Sequence, residues 1–287
     1  MYKFKPILKT LVWGTENWVL SGVSGSESVV AEGPHAGKKL SEVVPGEFPL
    51  LIKFIDAHDN LSVQVHPDDA LARKRHGCNG KTEMWYVTGV GPGAHLLSGL
   101  GREISPDEYP ALVRSGAIVD ALCDYRVAPG DVFFLPAGRI HAIGGGCRLA
   151  EIQQTSDITY RIYDYGRMGL DGKPRELHTE LAKDAIDYSV QSDYRTAYEP
   201  CPESAVELVR CPYFTTSLLD ISAPLAQSLA AVGPFLIAIC FEGAVTLKDE
   251  AGESVRIREG EVALVMRESG SVTFIPEGHS KLLTTHI

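Results

Sequence analysis

The sequence predicts a mainly β protein made of two antiparallel β units with a small helical insertion. Three observations predict it. Short apolar runs, alternating or continuous and bounded by Gly or Pro, recur along the whole chain, as in NLSVQVHP, EMWYVTGV and SVTFIPEG. Many short strands with turns of this kind make a sandwich or a barrel. Helical patterns are few and short. Finally, the stretch YRTAYEPCPES carries neither period and reads as a linker, and the segment after it repeats the style of the segment before it. The expected division is therefore residues 1–195 and 196–287.

In chain order, FPLLIKFIDA reads as a buried strand and NLSVQVHP as an alternating strand ended by a proline. HPDDALARKRHG reads as a short helix stopped by Gly77. EMWYVTGV is again a strand. SPDEYPALVRSGAIVDAL predicts the helical insertion, around residues 103–122. Its Ser105 stands three residues before Glu108, the spacing of a capping box, and Pro106 suits a first turn. Pro110 and Gly116 predict a two-part helix rather than one rod. YRVAPGDVFFLP and RLAEIQQ return to strands, and ELHTELAKDAIDYS predicts a third helix. In the second unit, FLIAICFEGAVTLKD, ESVRIREGEVALVM, SVTFIPEG and SKLLTTHI are strand patterns. EMWYVTGV resembles LIAICFEGAV, and PGDVFFLP resembles EGEVALVM, so the two units look like faint copies of each other. Aligned on their glycines, Glu83 falls opposite Ile237 and His141 opposite Ser271. Only the first copy keeps polar groups there, so the chemistry is expected in the first.

Composition excludes several classes of function. The 287 residues, 44% hydrophobic and 22% charged, are ordinary for a globular protein. The formal net charge of -10 argues against binding nucleic acid or anionic membranes, which takes a basic face. A small anionic substrate needs only local lysines and arginines. No run approaches the roughly 20 apolar residues of a membrane helix, and MYKFKPILKTLVWG lacks the form of a signal peptide. The six cysteines are scattered and none forms a CxxC pair, which points to free thiols in a reducing cytoplasm. Oligomeric state is not legible.

The chemistry-bearing stretch is GDVFFLPAGRIHAIGGG, residues 130–146. It reads G-x(5)-P-x-G-x-x-H: Gly130 permits the turn into a strand, Pro136 and Gly138 shape the bend after it, and His141 follows at a fixed position. This pattern resembles the second signature of the cupin superfamily. The resemblance implies two cupin-type antiparallel β-barrels of jelly-roll form, the first holding a metal. In place of the usual His-x-His of the first signature stands Gln64-Val65-His66, with Glu83 beyond it. In a strand Gln64 and His66 share a face. Two imidazoles, a carboxylate and a neutral oxygen suit Zn²⁺, one per chain, with room for water or substrate.

A narrower resemblance follows. LLIKFIDAHDNLSVQVHPDD, GKTEMWYV, GDVFFLPAGRIHAIGGG and RLAEIQQTSDITYRIYDYGR, in this order and spacing, are similar to the type I phosphomannose isomerases in their short bacterial form, from Trp13 to about Arg167. The resemblance implies zinc on Gln64, His66, Glu83 and His141, a catalytic arginine at Arg161 and an active-site glutamate at Glu151. Lys53, Ser62 and Lys81 match pocket positions. The motif VWGT departs from the family's usual Trp-Gly-Gly at one turn. The implied reaction interconverts mannose 6-phosphate and fructose 6-phosphate through an enediol, moving a proton between C1 and C2. Glu151 and Lys81 are both candidates for the base. Glu151 requires a modestly raised pKa and Lys81 a strongly depressed one, and the reading leans to Glu151, with Lys81 holding a hydroxyl. Lys53, Arg139 and Arg167 are the basic residues expected near the phosphate. Two rival functions stand beside this one: another metal-dependent cupin enzyme, either a different sugar isomerase or a dioxygenase, and a non-catalytic sugar-phosphate sensor. Gln64 disfavours an iron oxygenase, and Glu151 with Arg161 disfavours a sensor, which needs no proton carrier.

Overall fold

A computed structural model describes all 287 residues. Strands dominate, and four short helices interrupt them. No helix is long and apolar enough to cross a membrane. All six cysteines are unpaired.

The chain divides into two compact units, one made of residues 8–17 and 50–195, the other of 1–7, 18–49 and 196–287. Two N-terminal segments thus group with residues 196–287, where the sequence alone suggests a single cut after residue 195. Strand pairing is the cause. Tyr2–Lys5 pairs antiparallel with Glu261–Met266, Tyr2 opposite Leu264, and Val29–Val30 pairs with Tyr2–Lys5 in turn. Such pairing across some 260 residues leaves no mark on local periodicity.

In the first unit, one sheet runs in the order Val132–Leu135, Glu83–Val90, Cys147–Gln154, Leu50–Ala57, and the strands Gly14–Leu20 and Ile7–Leu11 continue it with their residues 8–17 in this unit. A second sheet runs Tyr160–Tyr163, Val63–Val65, His141–Ile143, His95–Leu100, Leu122–Arg126. Both sheets feed one apolar core: Ile55, Trp85, Phe133 and Leu149 from the first meet Leu96 and Ile143 from the second. The second unit repeats the plan with sheets of seven and four strands around Leu236, Val265, Leu247 and Phe274. Hydrogen bonding does not close either pair of sheets into one cylinder, so the expected barrels are open, two-sheet units. The mainly β class and the antiparallel pairing stand.

The helices show where local signals hold. Asp68 caps the helix Asp69–His76 by accepting from the Leu71 N–H at 2.8 Å, and Gly77 ends it in the left-handed region at φ 66°. The insertion is two-part, Tyr109–Ser115 followed by the single turn Val119–Ala121, with Gly116 at φ 79° between them. It begins later than expected. The Ser105 hydroxyl accepts the Glu108 N–H at 3.1 Å, but the Glu108 carboxylate pairs with Arg102 at 3.0 Å instead of turning back, so only half of the capping box forms. The helix Thr179–Ala185 is the third of the expected set.

Candidate active site

The site is built where the two sheets of the first unit face each other. In the five-stranded sheet, Gln64 stands opposite His141 on one side and opposite Arg161 on the other. His66 follows Gln64 by two residues, just past the strand end. The bend that delivers His141 depends on Gly138, which sits at φ 91° and donates its N–H to the His66 carbonyl at 2.9 Å. A Cβ there would come within 3.0 Å of the Ala185 carbonyl oxygen, so both φ and space call for glycine. In the six-stranded sheet, Glu83 opens its strand, and Glu151 lies directly between Trp85 and Lys53 on the neighbouring strands.

His66, Glu83 and His141 are buried, and one potential ligand atom from each lies within 4.8 Å of the others. The rings are oriented from behind. His66 Nδ1 is 2.9 Å from the Ile158 carbonyl and His141 Nδ1 is 2.8 Å from the Arg139 carbonyl. Each Nδ1 therefore donates, and each Nε2 lone pair faces Glu83, at 3.7 and 3.3 Å. Burial, with Lys81 nearby, pushes the His66 imidazole well below its ordinary value. Burial likewise pulls His141 down to about 3, against the pull of its carbonyl partner. Both rings are neutral, the form a metal requires. Burial and the Glu151 charge push Glu83 up to about 7 even though Lys81 opposes them. Lys81 Nζ lies 2.7 Å from Glu83 Oε2 and 3.2 Å from His66 Nε2, so its ammonium sits against the cluster as the counter-charge of this fully buried carboxylate. Two Nε2 atoms aimed inward and a buried carboxylate, with the Lys81 ammonium against one side of the group, fit a divalent cation. Gln64 joins them: its Nε2 is 3.3 Å from His141 Nε2. Turning the amide over places Oε1 at the same point, so one rotamer serves the imidazole and the other offers the cluster an oxygen.

Beside the cluster lies a cavity of about 360 Å³, lined among others by Ser62, Gln64, Lys81, Glu151 and Arg161. Charges alternate along its floor. Glu16, Lys53, Glu151, Lys81 and Glu83 are linked by successive contacts of 3.7, 2.9, 3.9 and 2.7 Å. Burial alone would push Glu151 up. The Lys53 and Lys81 charges, the Lys53 hydrogen bond and the Trp85 N–H outweigh it and hold the carboxyl at about 2. A base at this position asks for a modestly raised pKa; the structure instead holds Glu151 ionised. Lys53 is buried, and Glu151 and Glu16 raise its pKa in spite of that burial. Arg161 is half-buried, which lowers its pKa, as does neighbouring Arg175. One of its amino groups donates to the Glu176 carbonyl at 2.9 Å, while its Nε has no partner.

Two basic residues expected near the phosphate are not brought to the cavity. Arg139 donates to the Phe134 carbonyl at 2.8 Å and stacks on the Tyr194 ring, 4.6 Å from its centre. Arg167 is held by Asp164 at 2.7 Å and by the Asn60 carbonyl at 2.6 Å. Lys53 does line the cavity, but at its floor. Sequence reasoning missed Glu16, Trp85, Asp157 and Arg175. Glu16 and Trp85 sit in strands whose partners only the fold reveals. Arg175 lies in the turn-rich segment DGKPREL and shares Asp164 with Arg167. For Asp157 and Arg175 no local signal marks a pocket residue.

The chain is similar to known proteins along nearly its whole length. Residues 12–86 match the family described as phosphomannose isomerase type I, catalytic domain. The chain is 32% identical to mannose-6-phosphate isomerase ManA of Bacillus subtilis over 99% of its own length and 98% of that protein's. It is also 32% identical to a mannose-6-phosphate isomerase of Streptococcus mutans, over 94% and 88% of the two lengths. The crystal structure of the mannose 6-phosphate isomerase from Bacillus subtilis superposes with a TM-score of 0.88 at 30% identity, covering 100% of this chain and 99% of that one. With identity of this extent along nearly its whole length, the chain belongs to the type I phosphomannose isomerase family.

Proposed function

We propose that the protein interconverts mannose 6-phosphate and fructose 6-phosphate, with Zn²⁺ held by His66, Glu83, His141 and Gln64. The observation that carries this reading is the buried His66–Glu83–His141 cluster beside a cavity that also presents an ionised carboxylate and a guanidinium. The relatives' names supply the substrate class.

The hard step is removal of a proton from carbon beside a carbonyl, which places negative charge on oxygen. Zinc, when bound, supplies Lewis acidity worth several kcal/mol toward that charge. Arg161 adds a fixed positive charge on the cavity wall. Glu151 accepts the proton from one carbon and returns it to the next, because its carboxylate is always in the acceptor form. The ammonium groups that keep it ionised also weaken it as a base. The step therefore depends on positive charge around the substrate oxygens to acidify the carbon-bound proton. Lys81, paired with Glu83 and lining the cavity, donates to a sugar hydroxyl in this reading. Arg175, which lines the cavity and pairs with Asp164, is the candidate to meet the phosphate dianion.

A coupled assay on mannose 6-phosphate, before and after chelation and again after adding Zn²⁺ back, tests the reading. Turnover that disappears with the metal and returns with zinc supports it. A fully zinc-loaded protein without turnover overturns it.

A further inference from the structure

We infer that Trp85 is a positioning residue for the proton-carrying carboxylate of Glu151, an inference that rests on the isomerase reading above. Glu151 sits on the strand Cys147–Gln154, flanked by Leu50–Ala57 on one side and Glu83–Val90 on the other. Its direct cross-strand neighbours are Lys53 and Trp85. Residues paired in this way point to the same face of the sheet, so all three side chains meet in one row. Lys53 Nζ donates to Glu151 Oε1 at 2.9 Å, and Trp85 Nε1 donates to Oε2, also at 2.9 Å. Each carboxylate oxygen thus has one fixed donor, and two donors on opposite sides fix the plane of the group.

Lys53 at 2.9 Å and Lys81 at 3.9 Å already set two ammonium charges beside Oε1; the neutral indole N–H fixes Oε2 with less loss of basicity than a further ammonium would bring. Trp85 is itself immobile. It is fully buried in the core between the sheets, and its ring meets the His141 ring edge-on at 5.2 Å and 86°. One rigid side chain therefore touches a ligand of the candidate metal centre and the carboxylate beside it, and sets the distance between them. A misplacement of about 1 Å in such an arrangement costs on the order of a hundredfold in rate.

The test compares kcat, KM and zinc content for wild type, Trp85→Phe, Glu151→Gln and the double variant. Trp85→Phe keeps the aromatic contact with His141 and removes the N–H. The expected result is a kcat lower by about ten- to a hundredfold, with KM and zinc per chain unchanged. In the Glu151→Gln background, assayed at raised enzyme concentration, the same change has little further effect, because the partner it acts through is gone. If Trp85→Phe does not fold, 3-benzothienylalanine at position 85 keeps the bicyclic outline without the N–H, and the same results are expected. Unchanged kcat in these proteins overturns the inference, as does an equal loss in both backgrounds, which is the mark of a purely structural role. A zinc-loaded wild type without turnover overturns the isomerase reading and this inference together; turnover in wild type with unaltered Trp85→Phe kinetics overturns this inference alone.

Discussion

Replacing Lys53 with Met removes one charge from the row Glu16–Lys53–Glu151 and leaves the rest of the row in place. The Lys53 and Glu151 side chains are only 5% and 4% exposed and lie 2.9 Å apart, so solvent screening does little for either. Glu151 folds at about 2 against an ordinary 4.5, a gap that corresponds to about 3 kcal/mol. Breaking a buried pair by removing one partner costs about 3–5 kcal/mol by general experience, which agrees. The sign in pH follows. In wild type the Glu151 pKa is depressed, so its contribution is present above 4.5 and is lost as pH falls through about 2. In Lys53→Met the strongest charge opposing burial is gone, only Lys81 and the Trp85 N–H still oppose it, and the expected outcome is a carboxyl raised above its unfolded value. Its contribution is then present at low pH and is lost as pH rises. Urea unfolding followed by tryptophan fluorescence should show a deficit against wild type that widens from pH 5 to pH 8, to about 3 kcal/mol or more. Lys53→Met combined with Glu151→Gln should recover most of the loss. A single variant within about 1 kcal/mol of wild type at pH 8, or a deficit that narrows with pH, would refute the reasoning.

Other outcomes follow from the same geometry. His141→Ala should abolish both bound metal and turnover, read by elemental analysis and the coupled assay; full metal occupancy would contradict the ligand set. Arg161→Ala should keep the metal and lower kcat by about 10²–10³-fold, as loss of a charge-stabilising donor does; full turnover would remove Arg161 from its assigned role. The metal-free protein should be sensitive to acid. Burial depresses both His66 and His141, so their contribution to stability is present above about 6.5 and is lost as pH falls, toward about 3 for His141. A melting temperature of the chelated protein that stays flat between pH 4 and 6.5 would contradict this.

The His66, Glu83 and His141 group was legible as what the family resemblance implied, because each residue sits in a short motif that the resemblance rests on. Gly130, Pro136 and Gly138 fix where His141 emerges, Gln64 and His66 share a strand face, and Glu83 opens the next strand after a helix whose stop signal is a glycine. The row across the neighbouring sheet was not legible. Glu151 meets Lys53 and Trp85 through strand pairings that join residues 98 and 66 apart, and register between distant strands leaves no periodic trace. The charge state of Glu151 is hidden from the sequence for the same reason: a pKa is set by partners, and Lys53 and Trp85 become its partners only through the fold. The helix onset was misplaced because Arg102 competes for the Glu108 carboxylate, and the second unit's N-terminal strands were missed because their pairing partner lies at Glu261–Met266. The placement of Arg139 failed for want of Tyr194, its stacking partner on a distant loop.

The placement of Gln64 opposite both His141 and Arg161 has a consequence for how this protein tolerates change. The ladder of hydrogen bonds in that sheet serves as a ruler, setting how far the guanidinium stands from the imidazoles. A slip of one residue along Val63–Val65 would exchange an amide for a valine and turn the whole set inside out. Substitutions that loosen those strands should therefore blunt turnover before they melt the molecule, and drift in this part of the chain is confined to changes that keep the count.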